Sequence, residues 1–107
     1  MDFIHRQPLT ASDVKDQAKS YGADIVGIAD GAVMDAYPPD PRNPRRPNDV
    51  TDYDGGRAIV LGKRLLSGPT RLAAWNERHK YYNDEITLTM LEEAALSLVL
   101  WLETKGY

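Results

Sequence analysis

The stretch that decides the fold is Tyr21-Gly22-Ala23-Asp24-Ile25-Val26-Gly27-Ile28-Ala29, and its counterpart is Arg57-Ala58-Ile59-Val60-Leu61-Gly62. Each holds a short β-branched run bounded by glycine and a charged residue, the pattern of a buried strand. The two runs are alike enough to be neighbours in one sheet, although residue order does not give their relative direction. Gly27 interrupts the first run, and an interior glycine weakens a strand unless another backbone or a ligand passes close by.

Working outward, the first strand is preceded by a helix predicted over Ala11–Tyr21. Thr10 is its N-cap, and Asp13 stands three residues on, where a carboxylate completes a capping box and suits the helix dipole. Val14, Ala18 and Tyr21 share one face at helical spacing. Gly22 is placed for a left-handed C-cap. The second strand is followed by Lys63-Arg64, a turn at Ser67-Gly68-Pro69-Thr70, and a helical stretch predicted over Arg71–His79 with Leu72 and Trp75 as apolar contacts. Asn83 or Asp84 then opens a long helix. Leu88, Leu91, Ala95, Leu98 and Leu102 recur at intervals of three and four, and Ala94, Val99 and Trp101 widen that apolar face. Glu92, Glu93 and Glu103 lie off it, and Gly106 is the expected C-cap.

Between the strands, residues 30–57 form a long connection. Five of the seven prolines fall in Pro38–Pro47, which excludes helix and central strand there. Arg42, Arg45 and Arg46 in this segment either meet an anion or partner or are simply solvated. The order helix, strand, long loop, strand, helix defines an α+β chain of one partial domain, residues 1–107. Two strands alone make a poor sheet. The wide apolar helix face therefore calls for further polypeptide or a second copy of the chain.

Composition narrows the functions. A net charge of −3 and a pI near 5.3 argue against a nucleic-acid surface. Cysteine is absent, so these 107 residues supply no disulfide, zinc thiolate or iron–sulfur ligand. The start of the chain has no apolar run of the signal-peptide or transmembrane kind, and no membrane association is expected. A cytoplasmic location is the expectation. His5 and His79 lack a partner at metal-ligand spacing, and Gly55-Gly56 lacks the further residues of a phosphate-binding loop. Trp75 and Trp101 read as core or interface anchors.

The block Tyr21–Ala29, with Arg57–Gly62, the Tyr81-Tyr82 pair before the apolar helix, and the closing Lys105-Gly106-Tyr107, resembles the N-terminal region of the epoxyqueuosine reductases and corrinoid reductive dehalogenases. The three blocks span nearly the whole chain in the family's order. The resemblance implies a nitroreductase-like half-domain that embraces a cobalamin-type corrinoid, and an electron supply from a following ferredoxin-like portion with two iron–sulfur clusters. It implies reductive dehalogenation or epoxide deoxygenation by the intact reductase. The chain departs from the family in having no cysteine at all, so on its own it would be inactive. Under this resemblance Lys63 and Arg64 are candidates for the corrinoid's phosphate or amide groups, and Tyr81 and Tyr82 for the cofactor site, where a neutral tyrosine near a reacting carbon can donate a proton. The alternatives are a solvated strand end for the first pair and an aromatic anchor at a helix start for the second. No catalytic residue and no metal ligand are assigned. A different class of function also fits the residues: a small homodimeric interaction module that pairs through the Leu88–Leu102 face and displays its Pro-rich loop to a partner.

Overall fold

The computed structural model of the chain describes residues 6–37, 40, 42, 49, 56–68, 71–74 and 76–107. Its elements are α1 (Ala11–Ser20), β1 (Ile25–Asp30), α2 (Gly31–Ala36), β2 (Arg57–Gly62), α3 (Glu77–Lys80), a π-helical turn (Tyr81–Glu85) and α4 (Ile86–Thr104). The chain divides into two compact units, residues 1–26 with 61–107 and residues 27–60, so the division falls within both strands. The class is α+β, as expected. The sheet has two strands and is antiparallel: Asp24 N–H donates to Gly62 O at 2.9 Å, and Gly31 N–H donates to Gly56 O at 3.1 Å.

In the first unit, α1 begins where the sequence places it. Thr10 Oγ1 accepts from Asp13 N–H at 3.1 Å, while Asp13 Oδ2 accepts from Thr10 N–H at 2.9 Å. Two orphan amides of the first turn are thereby satisfied reciprocally. The Thr10 backbone N–H first, and the Thr10 hydroxyl second, hold the Asp13 carboxyl below its ordinary pKa. The helix ends at Gly22, whose φ of +112° is open to glycine at little cost. Gly22 N–H donates to Lys19 O at 3.0 Å and Ala23 N–H to Ala18 O at 3.2 Å, the two bonds of a Schellman motif. α4 closes in the same way at Gly106, where φ is +92° and Tyr107 N–H reaches Leu102 O at 3.1 Å.

α1 packs against α4. Val14, Ala18, Ala23, Val26, Ala94 and Leu98 make up the buried apolar core, which holds no fully buried large side chain among the described residues. Ala18 on α1 and Ala94 on α4 are both buried, and each fills its place in that core with a single methyl group. The apolar face of α4 differs from its sequence reading. Leu91, Ala95, Trp101 and Leu102 are half-buried beside Ala94 and Leu98, but Leu88 and Val99 are exposed. Val99 is one residue, about 100°, round the helix from Leu98, and Leu88 stands eleven residues before Val99, back on the same side. Leu96 and Leu100 join them there, so α4 is apolar on two sides.

The strands also differ from expectation. They read as buried on both faces, yet only Val26 is buried, while Ile25 is 71% and Val60 57% exposed. A two-stranded ribbon has few neighbours with which to cover its faces. In the second unit, residues 30–57 are not all connection. Asp30 Oδ1 accepts from Ala32 N–H at 2.9 Å and caps α2, a short helix that the sequence reading omitted. Arg57 Nη1 stands 3.8 Å from the same Asp30 oxygen. Arg42 bonds locally to Asp40, with its N–H 3.0 Å from Oδ1. The Pro-rich positions 38, 39, 41, 44 and 47, Arg45, Arg46, His5 and Trp75 lie outside the described residues.

The helix expected over Arg71–His79 is shorter and later. Asn76 caps it, accepting on Oδ1 from Arg78 N–H at 3.0 Å and His79 N–H at 3.1 Å. From Glu77 the helical run passes without interruption through the π-turn into α4. Asn83 is therefore interior to the run and does not cap it, because Asn76 has already supplied the cap two turns earlier.

Candidate functional site

All four candidate residues belong to the first unit, two just after β2 and two on the π-turn. Lys63 and Arg64 follow β2 and meet the turn between α1 and β1. Lys63 Nζ donates to Gly22 O at 2.9 Å, and Arg64 N–H donates to Asp24 Oδ2 at 2.7 Å. The Lys63 ammonium is thus engaged with its own chain, fastening a carbonyl left over from the α1 C-cap. The Arg64 guanidinium forms no ion pair among the described residues and is exposed. Of this pair, Arg64 is the group available to an anion.

Tyr81 and Tyr82 lie on the π-turn. Ile86 N–H donates to Tyr81 O, the i to i+5 bond that defines such a turn. The two rings meet edge to face with centroids 5.8 Å apart and planes at 75°. The Arg78 guanidinium stands 6.0 Å from the Tyr82 centroid, within cation–π range. Both rings are about half exposed, at 50% and 47%. They do not anchor the helix in a core. They present two amphipathic faces to solvent, which is how aromatic side chains meet a flat, partly apolar ligand. No hydrogen bond, ion pair or ring contact links Lys63 or Arg64 to the tyrosines among the described residues.

Beside the tyrosines is an open cleft of about 640 Å³, lined by Asn76, Glu77, Lys80, Asn83 and Asp84. Asn83 is the only buried polar residue among those described. Its Nδ2 donates to Asp84 Oδ1 at 2.9 Å, which fixes the orientation of the amide, since reversing it would oppose two oxygens. Its Oδ1 is buried with no hydrogen-bond partner. An acceptor left in that state costs about 1–3 kcal/mol. Sequence reasoning passed over this cleft because it took Asn83 for a cap. The signal that would have corrected it is Asn76 with His79 three residues later, an earlier helix start.

Among the described residues no three of His, Asp and Glu stand together as a metal-binding group, and no helix is long and apolar enough to cross a membrane. No family model, curated protein or solved structure matches the chain.

Proposed function

We propose that this chain is the N-terminal cofactor-binding portion of a corrinoid-dependent, iron–sulfur reductase of the dehalogenating or epoxide-deoxygenating kind, in a nitroreductase-like half-domain. The observation that carries the reading is the half-exposed ring pair Tyr81 and Tyr82 on a π-turn, an irregularity that recurs at functional sites. Support comes from the three sequence blocks, which fall in order on α1–β1, on β2 and on the π-turn with α4. Support also comes from exposed apolar side chains of the first unit, Ile25, Leu96 and Leu100, which a completed domain would cover. The residues present fit a corrinoid in part. Tyr81 and Tyr82 offer ring faces and Arg64 a guanidinium that forms no ion pair among the described residues, whereas Lys63 would first have to leave Gly22 O. When bound, the corrinoid would supply the reducing cobalt. The chain's own residues would wall it, and cysteines for the clusters would come from other polypeptide. The cytoplasm is the compartment this reading assumes.

Titration with hydroxocobalamin tests it. A shift of the visible bands that saturates with protein, and that is lost when Tyr81 and Tyr82 are both replaced by leucine, supports the reading. Unchanged bands at micromolar protein overturn it.

A second reading, the homodimeric interaction module, is favoured by the outward side of α4. The Leu88–Leu102 face named from sequence is divided, with Leu98 turned into the chain, so pairing would use Leu88, Leu96, Val99 and Leu100. Light scattering of the native chain and of a Leu96→Asp, Leu100→Asp variant decides it: a dimer that the variant dissolves supports pairing, and a native monomer removes it.

A further inference from the structure

The outward side of α4 is apolar and acidic at once. Leu96, Val99 and Leu100 are each about half exposed or more. Residues three and four apart on a helix are neighbours. Leu96 therefore has Glu92 and Glu93 on its N-terminal side, while Val99 and Leu100 have Glu103 on their C-terminal side. The three carboxylates are exposed and form no ion pair or side-chain hydrogen bond among the described residues. α4 itself carries no lysine or arginine. A helix that is apolar on more than one side belongs in an interior, and only one side of α4 is closed against α1. The other is a patch of apolar side chains bracketed at both ends by unpaired negative charge, the pattern of an interaction surface.

Glu103 adds a separate observation. It stands in the last turn of α4, where the helix dipole disfavours an anion and favours a cation, and that turn holds no basic residue. Lys105, the next cation along the chain, lies 5.8 Å from the Trp101 ring centroid and forms no ion pair among the described residues. A cation brought in beside Glu103 from elsewhere offsets both the charge and the dipole.

These charges discriminate between occupants. If two copies of the face met, each helix would bring carboxylates to the seam and neither would bring a cation. Like charges facing across an interface cost free energy, whereas opposite charges add attraction and fix register. We propose that the outward side of α4 docks a basic amphipathic helix of other polypeptide. Its apolar residues pack on Leu96, Val99 and Leu100, and its flanking Lys or Arg side chains pair with Glu92, Glu93 and Glu103. The proposal rests neither on corrinoid binding nor on the tyrosine pair.

The test uses the full chain and two fluorescein-labelled helical peptides of about three heptads, both with Leu at positions a and d, one with Lys and the other with Glu at e and g. Fluorescence anisotropy is the readout. The native chain is expected to bind the Lys peptide saturably and at least about tenfold more tightly than the Glu peptide. Combining Glu92→Lys, Glu93→Lys and Glu103→Lys is expected to invert that preference. Leu96→Asp with Leu100→Asp adds negative charge and is nevertheless expected to abolish binding of the Lys peptide. All of these positions are exposed, so both variants are expected to keep the native circular-dichroism spectrum. No saturable binding of the Lys peptide, a preference unchanged by charge reversal, binding retained or strengthened in the Asp variant, or a native dimer that the Asp variant dissolves would each overturn the proposal.

Discussion

The Tyr107 hydroxyl donates to Gln7 O at 2.9 Å across 100 positions of sequence. Gln7 N–H in turn donates to Lys105 O at 2.9 Å, and the Arg6 guanidinium stands 5.1 Å from the Tyr107 ring centroid. The arm before α1 is thus fastened to the Schellman turn that ends α4. Tyr107→Phe keeps the ring and removes the hydroxyl, and should destabilise the chain by about 1 kcal/mol in urea unfolding. A midpoint unchanged within error would show that the bond adds nothing to the arm's attachment.

Gly22 and Gly106 hold positive φ, where a Cβ is strained whether or not space surrounds it. Alanine at either position should cost roughly 1–2 kcal/mol. Gly27 behaves oppositely. A Cβ built there meets nothing within 4 Å, and its φ is not in the left-handed region, so Gly27→Ala should be neutral or stabilise by about 0.4–1 kcal/mol. If Gly27→Ala instead impairs corrinoid binding while raising stability, a ligand passes close to that strand.

Asp13 makes the α1 cap sensitive to acid. Its folded-state pKa is lowered, so its contribution is fully present above the ordinary carboxylate value and is lost as pH falls through the lowered one. Thermal melts of native chain and Asp13→Asn should therefore differ at neutral pH and converge in strong acid. Curves that stay parallel to the lowest pH reached would remove the capping box from the account.

The two sides of α4 should respond unequally to truncation. Leu98 is 3% exposed, and Leu98→Ala is expected to cost about 2–5 kcal/mol. Leu96 is 60% exposed, and Leu96→Ala should stay within about 0.5 kcal/mol in the monomer. A large loss at Leu96 that grows with protein concentration would instead reveal a partner on that side.

Asn83 supplies the sharpest stability test. Replacing it by leucine removes a buried acceptor without a donor, so Asn83→Leu should unfold at equal or higher urea than the native chain. A marked loss would mean that the Nδ2 bond to Asp84 outweighs the vacancy at Oδ1.

Several features were legible from residue order because they are settled within a few residues. Thr10 with Asp13 specifies a cap, Gly22 and Gly106 specify left-handed turns, and the β-branched runs at Ile25–Ile28 and Ala58–Leu61 specify strands. Other features depend on partners distant in sequence. The antiparallel pairing of β1 with β2, the side of α4 that Ala18 and Val14 face, and the capture of Lys63 by Gly22 O are fixed by which surfaces meet. The π-turn and the burial of Asn83 were illegible for a related reason. Asn83 has the composition of a helix start, and only the helix already begun at Asn76 turns it inward. Local hydrogen bonding therefore wrote the elements and their ends into the sequence. Long-range packing decided which apolar faces close, which stay open, and which polar atom is buried without a donor.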